Sequence, residues 1–476
     1  MKRGKLLIVL VAVLAVFVAG YFGLRAYNKA YGDGTLKLTD FSADDVTAIT
    51  VDCGGEKTAY VKDGGRWYCE DDREFPVDQE ILSAMAGQIA RTEAVRTAVK
   101  NVSQADMEAF GLNDPQAAVQ YVAAGTEGGF LIGDKNNSTN QFYFKPDGSD
   151  TVYMVRRVVA ESFFYGKIDT LKLPERLTYT TDNVVSLSVK RAEGEFEYLY
   201  FKDGCDEVYS DEYKWIERQS DGSLVPINGS KLSNVCTKIV SPGYTKAVTY
   251  APDDAQLREF GLDAASASRA TLVYKTYLAQ EGGDAAAEGL KQVEATLLIG
   301  KAFDDESYYA MTEGSGVVGL VPRDTELIVA EYNLDTMAVM DVCKVSRRSI
   351  DSMDVSFDGV FHSIEVSAAD TGADSPAKDD FEYTFDGEPC DKEAASAVLD
   401  LLHRMSGDRL ADGTVEGEAY LTLTLLRNTD RFDRLILEFI PYDNSFYMLS
   451  FNGEQRLLVN KRSVQELVDG VKGLEQ

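Results

Sequence analysis

Two histidines and six cysteines in 476 residues leave this chain short of the side chains that carry acid–base, nucleophilic and transition-metal chemistry. Positive charge is also scarce, with 48 Lys and Arg against 78 Asp and Glu for a formal net charge of −30. Five of those cations (Lys2, Arg3, Lys5, Arg25 and Lys29) fall within the first thirty residues, which hold no acid, so residues 31–476 carry −35. A surface of that sign repels phosphate backbones and anionic headgroups, which excludes nucleic acid as a partner. Hydrophobic side chains are not scarce: at 45%, with 10% aromatic, they can fill real cores, and the chain is no disordered acidic tail. Its length suits about three domains.

The longest uncharged run is Leu6–Leu24, behind the basic head Met1–Lys5 and closed by Arg25. Its nineteen residues would span about 28 Å as a helix, close to the hydrocarbon thickness of a bilayer. The basic head predicts a cytoplasmic N-terminus, with everything after about Tyr27 outside. A cleaved signal peptide is the competing reading, with Val18-Ala19-Gly20 as its cleavage site. The run is longer than a usual signal core and continues past that site, which favours an uncleaved anchor over residues 1–30.

The chain repeats itself. Phe110-Gly111-Leu112-Asn113-Asp114 recurs as Phe260-Gly261-Leu262-Asp263-Ala264, and the same shift of 150 carries Pro76-Val77-Asp78 onto Pro226-Ile227-Asn228. Leu82, Met85 and Ile89 likewise fall on Leu232, Val235 and Ile239. Leu131-Ile132-Gly133 then matches Leu298-Ile299-Gly300, and Ile168-Asp169-Thr170 matches Leu334-Asp335-Thr336, the surplus fitting a surface insertion at Gln280–Gln292. A diverged third copy has Pro389-Cys390-Asp391 in place of Pro76-Val77-Asp78, Phe446-Tyr447 in place of Phe142-Tyr143, and no FGL element.

Each copy opens on alternating strands separated by Gly-rich turns, as in Val46–Val51, Ala59–Val61 and Arg66–Cys69. Pro-x-Asp/Asn follows, where Asp78, Asn228 or Asp391 can cap a helix whose apolar stripe is Ile81, Leu82, Met85 and Ile89 in the first copy. After the FGL loop come two or three more strands and a short closing helix, Val159–Gly166 in the first copy and Ser463–Val468 in the third. The expected fold is α+β: a transmembrane helix, then three units of largely antiparallel sheet with packed helices, each β-β-β-α-β-β-β-α, the third diverged. The units are set at 45–172, 183–338 and 346–471.

Gly64-Gly65-Arg66-Trp67-Tyr68, Phe110 to Pro115, Leu131-Ile132-Gly133 and the pair Phe142-Tyr143, behind an N-terminal hydrophobic span, resemble the bacterial family known as domain of unknown function 4340. The second copy departs from that pattern, with Ala264 and Ala265 where Asp114 and Pro115 stand. The family has no established activity, so the resemblance supplies no catalytic residue. Its members often stand beside gliding-motility-type ABC transporter components, which implies a transporter or envelope partner by association.

The residues themselves supply no catalytic constellation either. Gly314-Ser315-Gly316 lacks the spacing of a nucleophile elbow. His403 reads as a helix-edge residue, and strand alternation sets His362 opposite Phe361, in solvent. No Cys/His spacing suits zinc. Asp134, Asn136 and Ser138 alternate like the first ligands of a calcium loop, but Thr139 and Lys145 stand where an EF-hand needs Gly and Glu, and a polar hairpin tip is the plainer reading. The acidic cluster Asp203, Asp206, Glu207, Asp211 and Glu212 reads as a solvated edge. The cysteines read as small buried hydrophobes, Cys53–Cys69 being the one pair worth testing as a disulfide. Trp67, Pro76, Asp78, Gly133, Pro226, Asn228 and Gly300 join the two FGL triplets (Phe110, Gly111, Leu112; Phe260, Gly261, Leu262) as structural markers.

No cofactor is expected. The reading is a membrane-tethered, extracytoplasmic, non-catalytic interaction or scaffold protein, with a solute- or glycan-binding surface protein as the alternative. Whether Tyr143, Tyr153, Tyr308 and Tyr309 line a groove or pack inside separates the two.

Overall fold

The computed structural model describes residues 35–191, 194–277, 289–330, 337–368 and 381–475. The Leu6–Leu24 span, most of the Gln280–Gln292 insertion and Leu334-Asp335-Thr336 lie outside them. Among the described residues no helix is long and apolar enough to cross a membrane.

The first repeat runs β1 (Leu36–Lys37), β2 (Val46–Cys53), β3 (Glu56–Asp63), β4 (Arg66–Cys69), α1 (Gln79–Ala90), β5 (Glu93–Lys100), α2 (Gln104–Ala109), β6 (Ala117–Ala123), β7 (Thr126–Asn136), β8 (Gln141–Pro146), β9 (Thr151–Arg156) and α3 (Arg157–Glu161). The second runs β10 (Val184–Arg191), β11 (Gly194–Tyr200), β12 (Trp215–Arg218), β13 (Leu224–Pro226), α4 (Gly229–Val240), β14 (Lys246–Tyr250), α5 (Asp254–Phe260), β15 (Ser268–Thr276), β16 (Lys291–Ala302), β17 (Ser307–Thr312), β18 (Val317–Pro322) and α6 (Arg323–Ala330). The third runs β19 (Ile350–Phe357), β20 (Val360–Ala368), β21 (Phe381–Phe385), β22 (Glu388–Pro389), α7 (Lys392–Arg404), β23 (Arg409–Leu410), β24 (Leu421–Arg427), β25 (Arg434–Pro441), β26 (Phe446–Phe451), β27 (Glu454–Asn460) and α8 (Lys461–Lys472).

These form three nine-stranded antiparallel sheets sharing one order: β5-β9-β8-β7-β6-β2-β3-β4, β14-β18-β17-β16-β15-β10-β11-β12 and β23-β27-β26-β25-β24-β19-β20-β21. The α+β architecture and the threefold repetition match the expectation. The expected unit was two strands short: a strand follows each main helix directly, and four strands, not three at most, come after it. Glu93–Lys100 alternates too weakly to announce itself, since its inward positions are filled by alanine as well as valine. The closing helices also shift, to Arg157–Glu161 and Lys461–Lys472. The β15–β16 ladder holds Lys291 and Gln292, so the inserted loop ends before Lys291 rather than at Gln292.

That strand order dictates the helix. In the first repeat β4 lies near one edge of the sheet and β5 near the other, a separation of about 34 Å at 4.8 Å per strand. α1 crosses the face between them with Leu82, Met85, Ala86 and Ile89 buried against the strands. Asp78 Oδ1 accepts from the amides of Glu80 (2.9 Å) and Ile81 (3.3 Å). Asn228 and Asp391 cap α4 and α7 in the same way. The outgoing chain closes over the capped end, with the Asp78 amide donating to Thr170 O (2.8 Å) and the Lys172 amide to Pro76 O (2.7 Å). In the second repeat the Asn228 amide donates to Met337 O at 2.8 Å. The incoming chain grips the helix body at the fifth residue after the cap. Tyr179 Oη donates to Ser233 O (3.2 Å), and the Arg347 guanidinium donates to Ser396 Oγ (2.6 Å), Ser396 O (3.1 Å) and Asp400 Oδ1 (2.5 Å).

The FGL triplet is a helix stop. Leu112 N bonds Met107 O (2.8 Å) and Gly111 N bonds Glu108 O (3.1 Å), a Schellman pair that needs the left-handed φ of +67° at Gly111. Leu262, Gly261 and their acceptors repeat it, with φ +70° at Gly261. The LIG triplet is the other half of the device. The freed Phe110 carbonyl takes the Asp134 amide at 2.8 Å, and a Cβ on Gly133 would run into that carbonyl, as one on Gly300 would run into the Phe260 carbonyl. Leu112 and Leu262 are buried at 2% and 3%, whereas Phe110 is half-exposed and stacks on Tyr143 at 4.1 Å. The third repeat has no helix between β23 and β24.

One expectation fails on register. His362 faces inward at 6% exposure while Phe361 is 63% exposed. Pairing of Val355 with His362 puts the imidazole on the core side, stacked on Phe385 at 5.0 Å, with Nδ1 2.9 Å from Asp386 Oδ2 and Nε2 3.2 Å from Glu475 Oε1. All six cysteines are free. Cys53 and Cys69 sit on strands separated by β3, opposite Glu56 and Tyr60 respectively, so two strand spacings and four residues of offset put them about 16 Å apart, beyond the reach of a disulfide.

The described residues divide into two units: those up to Pro174 with Tyr244–Asp253 and Ser315–Leu320, and the remainder. In the first, Tyr250 sets its ring edge-on to Phe75 at 5.7 Å and donates to Glu74 O at 3.1 Å.

Trp67 and Trp215 are the two tryptophans, so in a Trp215→Phe background urea melts followed by fluorescence report on the first repeat alone. There Leu112→Ala should cost about 2–5 kcal/mol. Half-exposed Phe110→Ala should cost less, about 1–2 kcal/mol. Equal costs would contradict the helix-stop geometry.

Candidate functional site

β3 and β4 are joined by the two-residue turn Gly64-Gly65, with φ +57° and +84°. The equivalent link between β11 and β12 spans residues 201–214 and lies on the third repeat. The Phe201 amide closes its base by donating to Lys214 O (2.8 Å), and Lys214 Nζ donates to Asp211 O (2.7 Å). From inside the acidic stretch Cys205, Val208, Tyr209 and Tyr213 enter one core with Ile350, Leu421 and Leu449 of the third repeat.

Polar contacts pin the insertion. The hydroxyls of Tyr209 and Tyr213 are 2.9 Å apart, and Tyr213 Oη donates to Asp341 Oδ2 at 3.4 Å. Burial pushes both phenols above their ordinary pKa. Asp211 lies 3.3 Å from the Arg348 guanidinium, and Glu212 lies 3.8 Å from His403 Nε2. Asp203, Asp206 and Glu207 are exposed, so the solvated-edge reading holds for the first half of the cluster and fails for the second. Its carboxylates there face Arg348 and His403 of the third repeat.

Cavities flank the insertion. One of about 630 Å³ is walled by Val208, Tyr209, Arg348, Arg427, Arg431 and Phe432. A second, of about 520 Å³, shares Tyr209 and Phe432 and adds Tyr213, Leu224, Phe451 and Arg456. Sequence reasoning passed over Arg427, Tyr209 and Tyr213. The available signals were an Arg ending the inward row Leu421, Leu423, Leu425, and apolar residues at Val208-Tyr209 amid acids.

The other candidates are not brought together. Asn136 Oδ1 accepts from Ser138 N (3.1 Å) and Thr139 N (3.2 Å) in a local turn, and Asp134 lies under Gly111. No group of three or more His, Cys, Asp or Glu that could hold a metal occurs among the described residues. His403 Nδ1 is 3.3 Å from Val345 O on the edge of α7. Tyr143 stacks on Phe110, Tyr309 packs on Phe260 at 4.6 Å, Tyr153 lies against the first core and Tyr308 is half-buried in β17.

The model of the family described as domain of unknown function, DUF4340, matches residues 67–197. Those residues belong to the DUF4340 family. The match begins at buried Trp67, takes in α1, the FGL stop and Gly133, and ends in β11. The insertion at 201–214 and the third repeat lie beyond that DUF4340 stretch. No curated protein and no solved structure matches the chain.

Burial raises the Cys69 thiol to about 11 and the Cys236 and Cys343 thiols to about 12. Iodoacetamide at neutral pH should therefore modify half-buried Cys53 and Cys390 first in the native chain, and the four buried thiols, Cys69, Cys205, Cys236 and Cys343, only in urea, as read by mass spectrometry. The sign for stability follows: the Cys69, Cys236 and Cys343 thiols favour the folded state below their unfolded pKa near 9, and that contribution is lost as pH rises toward 11–12. Alkaline melts should fall across that window, and stability unchanged through it would contradict the burial.

Proposed function

We propose that the chain is a membrane-tethered, extracytoplasmic, non-catalytic interaction or scaffold protein, accessory to an ABC transporter or envelope complex. The observation that carries this reading is the threefold use of one sheet topology, with an insertion that builds the second and third copies into a shared core. The shared core holds the second and third sheets together, which suits an assembly platform. The uncharged Leu6–Leu24 run behind a basic head supports the tether, and the acidic remainder suits a protein kept away from anionic headgroups. The tyrosines proposed as a glycan platform are engaged in packing, which favours the scaffold over the solute- or glycan-binding alternative.

Protease added to wall-stripped cells should digest residues 31–476 and spare an N-terminal epitope. Full protection of the bulk would overturn the orientation. The scaffold role predicts a discrete cross-linked product with a membrane protein from a photo-reactive residue at Phe361 or Phe303, the exposed aromatics of two hairpins at 63% and 53% exposure. Cross-links to lipid or solvent alone would contradict it.

A further inference from the structure

Val46, Val184 and Ile350 open equivalent strands, and their cross-strand partners are Ala123, Tyr274 and Arg427. Ala123 and Tyr274 are buried apolar residues at 6% and 4% exposure, and Arg427 is buried as deeply, at 8%. The core row of β24 is Leu421, Leu423, Leu425 and then a guanidinium. A buried ion costs several kcal/mol unless it is paired. The partners of Arg427 among the described residues are neutral: Ser349 Oγ from Nε (3.3 Å) and Nη2 (3.2 Å), Tyr209 O (2.8 Å) and Phe432 O (3.2 Å) from Nη1. Those four bonds leave one of its five N–H groups over. Of the carboxylates around the same cavity, Asp211 pairs with Arg348 instead.

The guanidinium lines the 630 Å³ cavity together with Arg431, an exposed residue whose recorded partner is the Phe432 ring at 5.9 Å. The volume suits a small ligand. Exposed Asp206 and Asp430 also line it, which disfavours multiply charged anions such as phosphate.

We propose that this cavity binds a carboxylate-bearing ligand, its carboxylate taken by Arg427 and Arg431 and its apolar body lying on Val208, Tyr209 and Phe432. The carboxylate can come from a free organic acid or from the C-terminus of a peptide. Neither the tether nor the scaffold reading enters this inference, so the two stand or fall separately.

Isothermal titration calorimetry on the full chain in detergent, at pH 7 and low salt, tests it with phenylacetate, acetyl-Gly-Gly-Phe and the amide of that peptide. Binding of phenylacetate but not of the peptide acid identifies a free acid. Tighter binding of the peptide acid identifies a chain terminus. The amide should not bind in either case. Arg427→Met should weaken binding roughly tenfold or more, and Arg431→Gln, on the surface and neutral to folding, should weaken it several-fold. Absence of heat from both acids at about 10 mM, or affinity unchanged in both variants, would overturn the site.

Discussion

A nine-stranded sheet buries a face only if something lies across it, and in each repeat a twelve- or thirteen-residue helix takes the lead in meeting that need. Everything else is arranged to hold the helix there. An Asp or Asn satisfies its first amides, in the second and third repeats the entering chain grips its side, and in the first two the chain leaving closes over its capped end. The FGL stop and the glycine of LIG do the same for the short second helix, fixing it against the sheet through a single carbonyl. Sheet edges are kept short, two to five residues, which leaves little for unwanted strand pairing.

Much of this was legible in the sequence, because repetition acts as an internal alignment. Asp78, Asn228 and Asp391 announce the capped helices, and FGL with LIG announces a paired device before its geometry is known. Strands such as Glu93–Lys100 were not legible, since alanine-rich alternation carries little signal. His362 misled because alternation opposes it to Phe361 without saying which of the two faces inward. The register to Val355 and the aromatic rings of Phe357 and Phe385 decide its side, and those are tertiary facts.

The junction was the least legible feature. An acidic stretch reads as solvated, yet Cys205, Val208, Tyr209 and Tyr213 anchor it in another repeat's core while Asp211 and Glu212 reach Arg348 and His403 there. Charge composition describes the average surface and says little about a segment in which every few residues face different surroundings. Arg427 is the sharper case: a core-row cation is costly on its own, and what offsets that cost lies partly in the insertion backbone. The DUF4340 stretch ends before the insertion, so the junction lies outside the part of the chain that matches the family.

If the insertion makes one body of the second and third repeats, their helices must lose protection together. Native-state hydrogen exchange, resolved by peptide mass spectrometry, measures this directly. The account predicts one common opening free energy for α4 and α7, and a different one for α1. Independent opening of α4 and α7 would contradict it.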